Sequence, residues 1–215
     1  MEQLLALFPL NTVLFPGATL PLHIFEPRYR QMISRCIKLK QPFGVVLIRE
    51  GEDVGDPAVE PYLIGTTAVI QNALRFSEGQ MLIATQGKQR FRVAQIIQRD
   101  PYLVASVEYM EEEITPEVPR LAEQVRELYT KHRNAVAHAT GVTQPLEQLS
   151  EDPVALSYQL ADQFRIINYS KQQLLEADIE ERLTAIVDAF DRELRFLPQP
   201  PQMPSQTTDG PWTLN

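Results

Sequence analysis

One thiol and three imidazoles limit the nucleophilic and metal chemistry open to this 215-residue chain. The only thiol and imidazole pair available is Cys36 with His23, and Cys36 falls on an apolar helical stripe, where a thiol stays protonated and inert. A core cysteine is the simpler reading. His132 and His138 stand six apart, on different sides of a helix, and no second cysteine offers a ligand, so no metal site is expected. The chain has no Gly-x-x-x-x-Gly-Lys-Ser/Thr phosphate loop, no Gly-x-Ser-x-Gly elbow and no His-Glu-x-x-His helix. Binding without a cofactor is therefore expected, not catalysis.

Two groups of residues could do the binding. Phe15, Pro16, Phe25 and Tyr29 could form an apolar contact surface for protein segments, since unfolded proteins are recognised by their exposed apolar and aromatic residues. The alternative is that these side chains fill a junction between strands and a helix. Lys88, Arg90 and Arg92 alternate along a strand-like run and so project from one face, with Gln89, Phe91 and Val93 on the other. Such a cation row could meet RNA, and a solvated strand face is the plain alternative. Charge argues against general nucleic-acid binding. The net charge is −8, with 11 Lys/Arg against 13 Asp/Glu in residues 1–113 and 9 against 15 in residues 114–215.

These candidates depend on the stretch Leu7 to Met32, which places Pro9, Pro16, Pro21 and Pro27 between apolar residues. Each proline fixes φ and removes an N–H, so the stretch must be short extended pieces joined by turns, with a turn at Phe15-Pro16-Gly17. Pro27 then opens a helix whose Tyr29, Met32, Ile33, Cys36 and Ile37 form one apolar stripe, and which stops at Gln41-Pro42. Phe8-Pro9-Leu10, Phe15-Pro16-Gly17 and Leu22-His23-Ile24-Phe25-Glu26-Pro27-Arg28-Tyr29 resemble the amino-terminal substrate-recognition domain of ATP-dependent Lon proteases. Gln172 to Leu194 resembles that family's closing segment, so the likeness runs over about residues 4 to 197. It implies a non-enzymatic module that recognises unfolded or degron-bearing proteins. The ATPase and protease modules of Lon do not occur in the sequence, so clients are expected to pass to a separate protease. Arg90-Phe91 also matches the family pattern, without an assigned chemistry.

The remaining elements follow from periodicity. A first strand is expected at Leu4–Phe8, a buried one at Phe43–Ile48 and a surface loop over Glu50–Pro57. An antiparallel meander follows: Tyr62–Leu74, a turn at Ser77-Glu78-Gly79, Gln80–Thr85, a turn at Gln86-Gly87, Lys88–Gln98, a turn at Arg99-Asp100-Pro101, then Tyr102–Met110. After Glu111-Glu112-Glu113 the period becomes helical. One helix is expected from Thr115-Pro116 to Thr140-Gly141, a second from Asp152-Pro153, and a third of roughly 40 Å from a capping box at Ser170-Lys171-Gln172-Gln173 through Leu197. The expected fold class is α+β: a β-rich subdomain over 1–113, a helical bundle over 114–197 and a proline-rich disordered tail over 198–215. The resemblance implies that the β part is a PUA-like pseudo-barrel, a fold that other families use to bind RNA. Trp212 in the tail could anchor a partner or be free. No apolar run approaches the roughly 20 residues of a membrane helix. The lone cysteine and the lack of a secretory signal point to the cytoplasm.

Overall fold

The computed structural model of the chain describes residues 3–51, 59–76, 78–142 and 147–198. Seven strands come first: β1 (Gln3–Leu10), β2 (Thr19–Ile24), β3 (Phe43–Glu50), β4 (Glu60–Pro61), β5 (Ile64–Arg75), β6 (Met81–Gln98) and β7 (Val104–Tyr109). Helix α1 (Pro27–Leu39) interrupts them, and α2 (Val118–Thr140), α3 (Pro153–Gln163), α4 (Asn168–Glu176) and α5 (Ile179–Phe196) follow. The fold is α+β, with a mixed, mainly antiparallel sheet and a helical part after it.

Five of the strands close on themselves. β1 pairs antiparallel with β7, β7 with β6, β6 with β5 and β5 with β3, and β3 returns to β1 in parallel. β1 changes partner halfway: Gln3–Ala6 lie against β7 and Leu7–Leu10 against β3. Pro9, which has no N–H, therefore sits where β1 no longer bonds β7. Phe91 fills the barrel interior with no exposure, beneath Gly44 and Gly65, which leave room for its ring.

The expected turn at Gln86-Gly87 is absent, and β6 is a single strand of 18 residues. Its first half pairs with β2 and its second half with β7. Between the halves, at Gly87, the Phe15-Pro16-Gly17 turn crosses it: Gly17 donates to the Gly87 carbonyl and Gly87 donates to the Ala18 carbonyl, both at 2.9 Å. A Cβ at Gly87 would lie 2.3 Å from the Phe15 carbonyl oxygen, so this glycine permits a crossing and not a reversal. Gly87→Ala should lower stability by about 1–3 kcal/mol, as overpacking does. Chemical denaturation would show it, and an unchanged midpoint would refute the crossing.

Four buried clusters make the core. One lies between α1 and the sheet, where Tyr29, Met32, Ile33 and Cys36 meet Phe8, Phe43, Ile83 and Tyr102. A second, with Phe91, Val46, Leu7 and Val107, fills the barrel. A third joins α2, α3 and α5 through Val125, Leu156, Leu183, Ile186 and Phe190. The fourth is shared: Val13, Phe15, Leu47 and Ile64 of the β part pack against Tyr158, Ala161 and Leu175 of the helices.

The helix boundaries depart from expectation in two places. α2 begins three residues after Thr115, with Pro119 in its first turn, and ends where expected, at Gly141 with φ 69°. The long third helix is two helices. Asp178 leaves helical geometry and accepts from the Glu181 N–H at 2.8 Å, which starts α5 afresh. Ser170 caps nothing, because α4 has already begun at Asn168. Trp212, the tail beyond residue 198 and most of the 50–57 loop lie outside the described residues. No helix among the described residues is long and apolar enough to cross a membrane.

Candidate functional site

The break between α4 and α5 exposes the carbonyls at the end of α4, the negative end of its dipole, to two arginines. Arg90 of β6 donates through Nη1 to the Leu175 and Ala177 carbonyls at 2.6 and 2.7 Å. Arg182 of α5 donates through Nη1 to the Leu174 and Ala177 carbonyls at 3.3 and 2.8 Å, and through Nε to the Ser157 hydroxyl at 2.9 Å. Both guanidinium groups converge on Glu112 Oε1, at 2.8 Å from Arg90 and 2.7 Å from Arg182. The Tyr158 hydroxyl donates to the same oxygen, and its ring lies 3.9 Å beneath the Arg182 guanidinium carbon. Burial pushes the Tyr158 phenol well above the ordinary tyrosine range, so it remains a donor. This cluster ties the barrel to the helices and exposes almost nothing.

Arg90 is thereby removed from the expected cation row. Lys88 and Gln89 are both exposed, while Arg90 and Phe91 are both buried, because β6 itself bulges here, Lys88 and Gln89 together opposing the single Thr67 of β5, and this interrupts the strand alternation. Arg92 is exposed but sits across from Glu108 on β7. The cationic face on which an RNA reading depends is broken in the middle.

The four expected contact residues also separate. Phe15 has no exposure and packs toward Tyr158 at 6.2 Å between ring centres. Tyr29 is 3% exposed and stacks on Phe8 at 4.1 Å. Both belong to the core, not to a surface, since Tyr29 lies on the inward stripe of α1 and Phe15 in the shared cluster. Pro16 is half-buried, and Phe25 is 47% exposed.

Phe25 is part of something larger. Its ring lies 5.6 Å from that of His23, which pairs across to Leu82, which in turn pairs across to Leu74. Met81 and Ile83 point into the core, so strand alternation turns Leu82 and its cross-strand neighbours outward. Leu74, Phe76 and Leu82 are 67, 49 and 43% exposed. The result is an apolar strip across β2, β6 and β5. At its edge His23 shares a hydrogen bond of 2.9 Å with Gln80, and Arg30 donates to the Glu78 carbonyl at 2.7 Å. Sequence reasoning missed Leu74 and Leu82, although their outward positions follow from alternation once the register is known.

A groove of about 950 Å³ lies at the other end of β2, between the Phe15-Pro16-Gly17 turn and α3. Pro16, Lys88, Met110, Glu112 and Tyr158 line it together with the segment leading into α3.

Cys36 is the core residue that its helical stripe predicts, apart from His23. Burial raises the Cys36 thiol to about 11, and His23 is held by Gln80 on the outer face. His132 pairs with Glu193 at 2.6 Å, and His138 is exposed. Among the described residues no three His, Cys, Asp or Glu side chains come together as metal ligands would.

Comparison with known proteins bears on the family and the fold. Residues 4–192 match the model of the ATP-dependent protease La (LON) substrate-binding domain. Lon protease 2 of Myxococcus xanthus is 28% identical over 202 residues, covering 92% of this chain and 24% of that protein. Lon protease of Dictyoglomus thermophilum is 26% identical over 202 residues, covering 92% and 25%. The chain thus spans about a quarter of the length of these curated relatives. Among solved structures, a Lon N-terminal domain protein from Xanthomonas campestris superposes with a TM-score of 0.59 at 26% identity, covering 91% of this chain and 99% of that one. The N-terminal domain of the Mycobacterium avium complex Lon protease shares the fold, with a TM-score of 0.64 at 20% identity over 88% and 98%. The chain belongs to the family of Lon substrate-binding domains.

Proposed function

We propose that the domain captures unfolded or degron-bearing proteins on the strip formed by Phe25, Leu74, Phe76 and Leu82, and presents them to a protease. The observation that carries this reading is the strip itself. Four large apolar side chains stand exposed together, Leu74 and Leu82 paired across β5 and β6, and Phe25 and Phe76 just past the ends of β2 and β5. An apolar surface on a rigid frame gains free energy by covering apolar segments that a folded client would hide, without bond chemistry or nucleotide. Family membership supports protein binding as the task, and the broken cation row gives RNA binding no support.

The test is a double substitution, Leu74→Ser with Leu82→Ser. Both side chains already face water, so the melting temperature should stay close to that of the parent chain. Affinity for a fluorescent, permanently unfolded casein should fall about tenfold or more, which corresponds to about 1.4 kcal/mol. Equal binding by the double variant and the parent would end this reading.

A further inference from the structure

Two open edges flank the first half of β6, and one of them is blunted. β2 lies on one side of it and the far half of β5 on the other, and among the described residues neither has a second neighbour there. Gly87 donates to the Ala18 carbonyl, so by alternation β6 bonds β2 through Met81, Ile83 and Thr85 and bonds β5 through Leu82 and Ala84. Leu20, Leu22 and Ile24 take part in the first pairing, and Thr19, Pro21 and His23 turn outward. Pro21 has no N–H, which removes the central donor from the β2 edge.

The β5 edge has no such block. Asn72 and Leu74 face β6, in step with the Phe76 N–H that donates to the Gln80 carbonyl at 2.9 Å. Ala73 and Arg75 therefore each turn an N–H and a C=O away from the sheet. β3 follows β5 only to the pair Phe43 and Ala68, and Pro42 before it carries no donor. A bulge at Gln71 separates that pairing from the open run, residues 72–75. Unpaired main-chain groups in this pattern are a template for one more strand. A groove of about 400 Å³ accompanies the edge, between residues 69–73 and the end of α1 with Ile37, Lys40 and Pro42, and Lys40 is the charged side chain in its lining. Helix α1 carries Arg28, Arg30, Arg35 and Lys38 without an acid, in a chain of net charge −8. Arg75 adds to the same face, since it lies across from Met81, whose side chain packs in the cluster beneath α1.

We infer that residues 72–75 of β5 receive an extended acidic segment of a client protein as an added strand, its backbone bonded to Ala73 and Arg75 and its carboxylates drawn to Arg75 and Lys40. Charge selects this occupant. Two copies of the chain joined edge to edge would bring their own cations together, whereas an acidic strand meets the opposite sign. Arg35, Lys38, Lys40 and Arg75 make no ion pair among the described residues, so their charge is open to a partner. The inference rests on the proposed function for the class of partner alone. Its contacts are main-chain hydrogen bonds and charge, where the strip buries apolar side chains.

The test uses the intact chain and three short, capped, labelled peptides followed by fluorescence anisotropy: one alternating valine with glutamate, the same peptide with every backbone nitrogen methylated, and one alternating valine with lysine. The glutamate peptide should bind, and the methylated and lysine peptides should bind at least about tenfold more weakly. Ala73→Pro removes an outward donor and leaves the β6 pairing intact, so its thermal melt should stay near that of the parent while the glutamate peptide weakens about tenfold or more. Lys40→Asn with Arg75→Gln should weaken it about fivefold, asparagine being suited to the left-handed backbone at Lys40, φ 52°. The inference is overturned if the glutamate peptide does not bind, if methylation leaves its Kd unchanged, if the two charged peptides bind alike, or if a folded Ala73→Pro variant binds as the parent does. It is also overturned if sedimentation shows a parent dimer that Ala73→Pro makes monomeric, since the edge would then serve a second copy. Should Ala73→Pro fail to fold, the methylated peptide decides. Glutamate-peptide binding should survive Leu74→Ser with Leu82→Ser, the variant that tests the strip with casein, so either reading can fail alone.

Discussion

Replacing Glu112 with alanine is expected to remove about 3–5 kcal/mol of unfolding free energy, whereas alanine at Glu111 or Glu113 should change it by no more than about 0.5 kcal/mol. The three residues are consecutive and chemically identical, so only their surroundings differ. Glu111 and Glu113 face solvent. Glu112 is the counter-ion of two guanidinium groups whose side chains are 3 and 0% exposed, and it also accepts from Tyr158. Removing it would leave two like charges buried near the same carbonyls with nothing between them. Glutamine should be intermediate, since it keeps an acceptor oxygen but not the charge. Urea denaturation of the three alanine variants is the measurement. If all three unfold at the same midpoint, the cluster does not hold the barrel to the helices.

Phe15→Ala should cost a similar amount, about 3–5 kcal/mol, through the cavity it leaves in the shared cluster. At a temperature where the variant is still folded, its affinity for an unfolded client should be unchanged. Phe25→Ala should behave in the opposite way, with stability within about 0.5 kcal/mol of the parent and weaker client binding. The contrast follows from burial, because Phe15 has no exposure and Phe25 is 47% exposed. A Phe15 variant that stays stable yet no longer binds would move the contact surface to the proline-rich turn.

Local physics made much of the fold legible. Proline spacing places the turn at Phe15-Pro16-Gly17, and the stripe through Tyr29, Met32, Ile33 and Cys36 gives α1 and its buried face. Asp152 before Pro153 and Gly141 after α2 mark real helix ends. What the sequence hid was long-range. Gln86-Gly87 reads as a turn because glycine serves both turns and close crossings, and the crossing partner lies some seventy residues away at Gly17. The apolar edge from Leu175 to Leu194 keeps its spacing through Ala177 and Asp178, so periodicity alone could not show the break. Asp178 followed three residues later by Glu181 was the available sign of a new helix start. Arg90, Glu112 and Arg182 look like ordinary surface charges in sequence, since only the meeting of β6, α3 and α5 buries them together. Of the contact residues, alternation around His23 and Phe25 was readable, but Leu74 and Leu82 joined them only once strand pairing fixed the register.

The ring's one parallel joint has a consequence for synthesis. Residues 7–10 can dock on residues 44–47 early, while residues 3–6 must wait for 104–107. A chain emerging from the ribosome at about 5–20 residues per second therefore carries half of its first strand unzipped for some seconds. Over that interval the nascent polypeptide exposes an open β edge, which the arrival of residues 104–107 closes.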